Sequence, residues 1–232
     1  GAGLLVFPHG FLVDRDGNVW VTDARDSGGK GHQVLKFSPD GKIVMRLGKA
    51  GVAGLAPDTF NGPCAVVTAP NGDIFVADGH ENAFSRIMKF DKAGKYLTEW
   101  GKKGTGPGEF DTPHAIVLDS RGRLYVSDRA NRRIQVFDRE ARFLAEWRVF
   151  PYIDGLACAA DDSLFAATGR ANGVLRLSTV EFEGQRAGAD PIVLESFGSR
   201  YSTYPELMAH AVPPAGQFNM IHGVAVDTNG DV

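Results

Sequence analysis

The sequence predicts an all-β fold, a propeller of four-stranded blades, and three observations carry that prediction. One hairpin pattern recurs along the chain, two further short strands follow it in its best copies, and helical periodicity is absent. A lone four-stranded sheet leaves a face uncovered, so repeated sheets must stack, and radial stacking around an axis is the propeller solution. A β-sandwich would not explain why the same hairpin returns with the same loop chemistry.

The first blade spans about 7–48. FPHGFLVDRDGNVWVTD reads as an alternating strand, an Asp/Gly turn and a second strand, followed by QVLKFSPDG and KIVMRLG. The second blade, about 60–101, repeats this as NGPCAVVTAPNGDIFVADG, RIMKFDKAG and KYLTEWG, and the third, about 110–148, as DTPHAIVLDSRGRLYVSDR, RIQVFDREA and RFLAEWR. The fourth, about 150–198, opens with YIDGLACAADDSLFAATGR and is degenerate; NMIHGVAVDTNGDV starts another from 218. Second strands are expected to begin at Gly17, Gly72, Gly122 and Asp162, spaced 55, 50 and 40 residues apart, which suits a blade plus its loops. The segment Ser178–Phe218 leaves the repeat and reads as a long excursion. The expectation is one propeller domain over 1–232, six-bladed when complete, with this segment truncated at both ends.

Composition limits the function. The 232 residues are 43% hydrophobic and 23% charged, with a formal net charge of −3. Such a chain buries a sizeable core and gives no electrostatic reason to bind nucleic acid. No apolar run is long enough to span a bilayer, so the expected partner is a small-molecule or peptide substrate, with no membrane role. Cys64 and Cys158 have no zinc-knuckle or redox spacing, and their places in non-adjacent blades argue against a disulfide between them. Compartment is not legible; secretion or export to a periplasm would require a signal removed ahead of Gly1. Nothing in the sequence sets the oligomeric state.

The site candidates follow from the repeat. The residue leading each first strand is His9, Cys64, His114, Asp154 and His222 in turn. These strands are the innermost of their blades, so three histidines converge near one axis. Imidazoles so arranged make a metal site with an open position, and zinc suits them best among common ions. The competing reading is inheritance of a turn histidine by a repeat. Asp154, at the same position, would add a carboxylate. His80, Arg129 and Arg170 follow second strands, which places them at the same end of their blades; arginine is a fork for carboxylates, and histidine moves protons near neutrality. Against these stand a solvated basic run for Arg129, a loop hydrogen bond for His80 and a structural role for Arg170. Asp23, Asp78 and Asp128 recur after second strands and are expected to tie off loops. GTGPGEF at 104–110 looks like a phosphate loop but lacks the spacing and the helix, so it reads as a connector. Tyr152, Tyr201 and Tyr204 are pocket aromatics without a specific signal.

FPHGFLVDRDGNVWVTD, FVADGH with SRIMKF, GEFDTPHAIVLDSRGRLYVSDRANRRIQVF and NMIHGVAVD together resemble the NHL-repeat six-bladed propellers, and within them the peptidyl-α-hydroxyglycine α-amidating lyases. The resemblance covers about residues 1–148 and the last 14. It implies a catalytic zinc on His9, His114 and His222, and a channel calcium held partly by the Phe11 carbonyl. It also implies substrate contacts from Arg129 and Met220. The chain departs from that family at His80, where the lyases carry a tyrosine, and at Gly223, where they carry an aspartate. The implied reaction is a lyase cleavage of an N-acyl carbinolamine to an amide and glyoxylate, with Arg129 gripping the carboxylate, His80 accepting a proton, and Arg170 as a further substrate contact. Two alternatives stay open: a non-catalytic NHL propeller that docks a peptide or protein, and a metal-dependent lactone or ester hydrolase.

Overall fold

The computed structural model describes residues 3–80, 84–148, 152–169, 173–179, 191–197, 222–227 and 232. Arg170, Met220, Tyr201 and Tyr204 lie outside them, as does most of the 178–218 excursion. Every regular element among the described residues is a strand.

Four sheets form in sequence, each a four-stranded antiparallel meander. The first holds β1 (Pro8–Val13), β2 (Val19–Asp23), β3 (Gln33–Phe37) and β4 (Ile43–Leu47). The second holds β5 (Pro63–Thr68), β6 (Ile74–Asp78), β7 (Arg86–Phe90) and β8 (Tyr96–Trp100), and the third β9 (Pro113–Leu118), β10 (Leu124–Asp128), β11 (Arg133–Phe137) and β12 (Phe143–Trp147). The fourth holds β13 (Gly155–Cys158), β14 (Leu164–Thr168), β15 (Gly173–Leu177) and β16 (Val193–Phe197). The predicted all-β blades are therefore what this sequence builds.

The turns explain the repeat. Gly17, Gly72 and Gly122 have φ of 77°, 90° and 81°, a left-handed conformation that a β-carbon disfavours, and Asp162 takes the same place at 63°. These residues are thus the turns, and each second strand starts two residues later than the sequence suggested. The Asp14 carboxylate accepts from the backbone of Asp16 and Asn18, and Asp119 from Arg121 and Arg123, closing their turns from within.

The fourth blade is more complete than its sequence indicated. β16 pairs with β15 from Val174↔Phe197 to Leu177↔Val193, so the excursion begins between the third and fourth strands and leaves the meander intact. The long connection hid this strand: VLESFG has the aromatic-and-glycine ending of YLTEWG, but it lies far along the chain from its partner β15.

The chain divides into two compact units, Gly1–Ile116 and Val117–Val232. In the first, Trp20, Val34 and Leu47 of one blade pack against Val66, Ile74, Val76, Met88 and Phe90 of the next, with Phe60 of the connector between them. Burying each large side chain is worth about 1.5–3 kcal/mol, so this seam is the main source of cohesion between the two blades. In the second, Tyr125 and Trp147 lie 5.5 Å apart across one sheet, and Phe165 stacks on Phe197 in the other.

Candidate metal centre

In the first unit the residues that lead β1 and β9 come together. His9 and His114 are the second residues of their strands, and their ring centroids lie 4.6 Å apart. His114 is only 2% exposed.

The approach of His9 depends on its neighbours. Its Nδ1 lies 2.8 Å from the Cys64 carbonyl oxygen, an acceptor, so Nδ1 carries the proton and Nε2 the lone pair. The same carbonyl accepts from Thr22 Oγ1 at 3.1 Å, and Thr22 Oγ1 accepts from the Gly10 amide at 2.7 Å. A β-carbon on Gly10 would overlap the Cys64 carbonyl oxygen and lie 2.9 Å from Ala65 Cα, so only glycine lets the two inner strands meet there. An imidazole tied by one nitrogen to a carbonyl and offering the other is the arrangement that orients metal-bound histidines. On this donor chemistry the residues fit a divalent ion.

His80 belongs to the same cluster. Its ring centroid lies 4.6 Å from that of His9 and 5.7 Å from that of His114, and Phe7 packs against both His9 and His80 at 5.9 and 5.7 Å. The Arg25 guanidinium covers the Phe7 ring. The His80 amide donates to the Gly62 carbonyl at 2.9 Å, and Gly62, at φ 136°, leaves the space His80 fills. Phe11 lies two residues beyond His9 on β1, its side chain 70% exposed.

The second unit holds Arg129, Asp154 and His222. Arg129 Nη1 sits 3.2 Å from Asp154 Oδ1, and the other Asp154 oxygen accepts from the Gly169 amide at 3.2 Å. Asp154 is thus a carboxylate already engaged by the fork expected to take one. Gly155 pairs with Ala167 as Ala65 pairs with Ala77, which makes Asp154 the register equivalent of Cys64. Residues 222–224 lie against Gly155, where a β-carbon would fall 3.0 Å from the His222 carbonyl oxygen. His222 itself is exposed.

The run DRANRR is not a solvated basic stretch. Arg129 faces Asp154, Arg132 lies over the Tyr152 ring at 5.2 Å, and Arg133 is fully buried on Asp128 at 2.7 Å and Glu146 at 2.7 Å. Arg86 repeats this with Asp78 at 3.0 Å and Glu99 at 2.7 Å. Burial pushes the Asp78 carboxyl up to about 6, against the pull of Arg86 and the Asn61 amide. These ion pairs escaped the sequence reading, although the arginine opening SRIMKF and RRIQVF four residues before a phenylalanine was visible in both blades. Asp23 accepts from the Val6 and Phe7 amides. All three recurring aspartates therefore tie loops, as expected.

GTGPGEF is a connector. The Glu109 carboxylate accepts from the Thr105 and Gly106 amides at 3.1 and 2.9 Å, so the loop wraps an anion from its own chain. Cys64 and Cys158 are both thiols.

Comparison with known proteins agrees with the repeat. Residues 64–163 match the family model DUF5128, a 6-bladed beta-propeller. The chain is 39% identical over 146 residues to NHL repeat-containing protein 3 of Homo sapiens, covering 60% of this chain and 42% of that protein. It is 40% identical over 141 residues to a probable peptidyl-alpha-hydroxyglycine alpha-amidating lyase of Caenorhabditis elegans, covering 59% and 38%. It is 31% identical to peptidyl-glycine alpha-amidating monooxygenase B of Xenopus laevis over its whole length, which is 25% of that protein. The chain thus spans well under half of each of these relatives. Among solved structures, virginiamycin B lyase from Staphylococcus aureus superposes with a TM-score of 0.53 at 17% identity, over 75% of this chain and 53% of that one. A protein of unknown function from Bacteroides caccae gives 0.56 at 15%, over 82% and 60%. At these identities the structural likeness is one of fold.

Proposed function

From propeller blades whose sequence is similar both to amidating lyases and to NHL-repeat proteins, we propose that the full-length protein is a metal-dependent lyase acting on N-acyl carbinolamines such as peptidyl-α-hydroxyglycines. The observation that carries this reading is the pairing of half-buried His9 with buried His114 at the heads of two inner strands, with the His9 tautomer fixed by the Cys64 carbonyl.

His9 and His114, joined by His222, would hold the ion. When bound, a zinc ion supplies Lewis acidity, lowering the pKa of a hydroxyl or water it touches. Arg129 offers its guanidinium to the substrate carboxylate, with Asp154 occupying that fork in the substrate-free protein. The reaction breaks the bond between the carbinol carbon and the amide nitrogen. The hydroxyl loses its proton as the carbon becomes the aldehyde of glyoxylate, and the nitrogen leaves as the amide after gaining one. A group that accepts the hydroxyl proton is needed beside the ion, and His80, the candidate from the sequence, is held in that cluster. A calcium ion near Phe11 belongs to the same reading on the resemblance alone.

The similarity to an NHL repeat-containing protein, as high as that to the lyase, supports a second reading: a non-catalytic propeller that docks a peptide or protein. Glyoxylate release from an N-acyl-α-hydroxyglycine by the full-length protein separates the two. The lyase reading expects zinc-dependent release that is lost in His114→Ala. No release from zinc-loaded protein would sink it, and metal-independent capture of a peptide would put the docking reading in its place.

A further inference from the structure

The link between β2 and β3 is longer than the repeat requires. Nine residues, 24–32, join these strands in the first blade, whereas four, 129–132, make the same connection in the third. The extra length is built into a fixed tip. Ser27 and Lys30 exchange backbone hydrogen bonds at 3.2 Å, and the Gly51 amide, in the connector after β4, donates to the Gly31 carbonyl at 2.9 Å. Gly31, at φ 90°, packs so closely that a β-carbon there would collide with the Arg25 carbonyl oxygen. Beside it the Asp26 carboxylate meets Nε2 of the buried His32 at 3.1 Å, and the Lys30 ammonium donates to the Gly3 carbonyl.

This tip carries Arg25, which stands two residues after Asp23 as His80 stands two residues after Asp78. Its guanidinium carbon lies 4.2 Å from the centroid of the Phe7 ring, and that ring lies 5.9 Å from the ring of His9 and 5.7 Å from that of His80. The guanidinium is therefore no more than about 10 Å from either imidazole. Phe7 is itself held, its amide donating to Asp23 at 2.6 Å. A stacked guanidinium turns its face to the ring and keeps its N–H donors in its own plane, directed past the ring edge. A cation placed in this way suits a carboxylate whose methylene stem lies along the same ring. Covering Phe7 alone would be served by an apolar side chain, with no charge to desolvate.

We propose that Arg25 is a specificity-determining residue, binding the side-chain carboxylate of an acidic residue that immediately precedes the hydroxyglycine. The proposal rests on the substrate class proposed above, in which Arg129 takes the terminal carboxylate. One residue of extended chain spans about 3.3–3.6 Å and a glutamate stem adds roughly as much again, so such a carboxylate falls within the distance that separates Arg25 from the imidazoles.

The test compares wild type with Arg25→Gln, Arg25→Lys and Arg25→Glu, as zinc-supplied full-length protein, with thermal melts to establish that each variant folds. Isothermal titration measures the affinity of each for acetyl-Ala-Glu-Gly, acetyl-Ala-Gln-Gly and acetyl-Ala-Lys-Gly. These peptides lack the hydroxyl, so binding is read without turnover. Wild type is expected to prefer the glutamate peptide to the glutamine peptide by about 10-fold. Arg25→Gln should lose that preference, Arg25→Lys should keep part of it, and Arg25→Glu should favour the lysine peptide. No binding of any peptide, equal affinities for the glutamate and glutamine peptides in wild type, or a preference that survives in folded Arg25→Gln would each overturn the assignment. So would an equal loss of affinity for all three peptides in Arg25→Gln, which would make Arg25 a brace or a contact of the terminal carboxylate. Glyoxylate release from the matching hydroxyglycine peptides keeps the two readings apart. An Arg25-dependent preference in a protein that releases no glyoxylate would leave the assignment standing and sink the lyase, and release without the preference would do the reverse.

Discussion

Gly10 has no side chain, yet it governs how His9 is presented. The dipeptide HG was legible as the head of a strand, and the histidine as a candidate ligand, but the carbonyl of Cys64 that sets its tautomer comes from another blade and has no sequence signature. Gly10→Ala is expected to displace that carbonyl, weakening the zinc binding proposed above by about 10–100-fold and lowering stability by about 1–3 kcal/mol through overpacking. A chelator competition assay and a urea titration read the two effects separately, and wild-type zinc affinity in the variant would show that the carbonyl contact is idle. The thiols behave differently. Burial first, then the charges of Asp162, Asp119 and Asp161, push Cys158 up to about 12, and Cys64 is fully buried. At pH 8 that leaves ~10,000-fold less thiolate than thiol at Cys158. Neither cysteine should react with a disulfide reagent in the folded protein, while both should be counted after unfolding in guanidinium.

At the scale of the element, the second turn of each blade offers an internal comparison. Gly41 and Gly94 occupy its left-handed position at φ 80° and 81°, whereas the third blade places Ala141 there at 67°. Ala141→Gly is expected to raise stability by about 0.5–1 kcal/mol, the relief of left-handed strain being partly offset by a freer unfolded chain. A rise in the urea midpoint at constant slope would establish it, and a fall would show that the alanine makes a contact worth more than its strain. The strands were legible because their alternation and turn residues are local. The arginine at the head of β7 and β11 was not, since an arginine inside a strand reads as solvent-facing until its partners on neighbouring strands are known. Arg133→Ala should cost about 3–5 kcal/mol, because it leaves Asp128 charged and buried. Arg133→Ala in an Asp128→Asn background should lose less, and equal losses in both backgrounds would argue against the pair.

At the scale of the whole molecule, acid should act through opposed groups. The Asp14 carboxyl is partly desolvated, which alone would raise it, but Trp20, Asn18 and Lys36 hold it at about 2. A carboxylate depressed in this way contributes stability above its unfolded pKa and loses it as pH falls from about 4 towards 2. Asp138, Asp161 and Glu146 are depressed too and act in the same direction. Asp78, raised to about 6, acts the other way, favouring the folded state at low pH and losing that contribution as pH rises from about 4 to 6. Urea midpoints measured across pH should therefore drop steeply below 4, and Asp14→Asn should flatten that drop; an unaltered profile in the variant would remove Asp14 from the account. At this scale the sequence revealed the repeat, the blade count and the inner-strand histidines, because each recurs at a fixed place in the hairpin. It did not reveal the fourth strand of the last blade, nor that Arg129 meets Asp154, because both depend on partners brought in by long connections.

The buried Arg86 also carries an implication for how such chains lengthen. Besides Asp78 and Glu99 of its own blade, it donates to the carbonyls of Gly54, Leu55 and Thr59 in the connector leading into that blade. Charge and countercharge, lock and entry loop, are thereby inherited as one package. A duplication that copies a sheet from its first strand alone would strand an arginine in the interior without the carbonyls that solvate it, whereas one beginning some ten residues earlier would deliver a self-sufficient copy. The heritable unit of this architecture is then the connector with the blade that follows it, and recombination breakpoints that yield folded progeny should fall before the connector rather than after it.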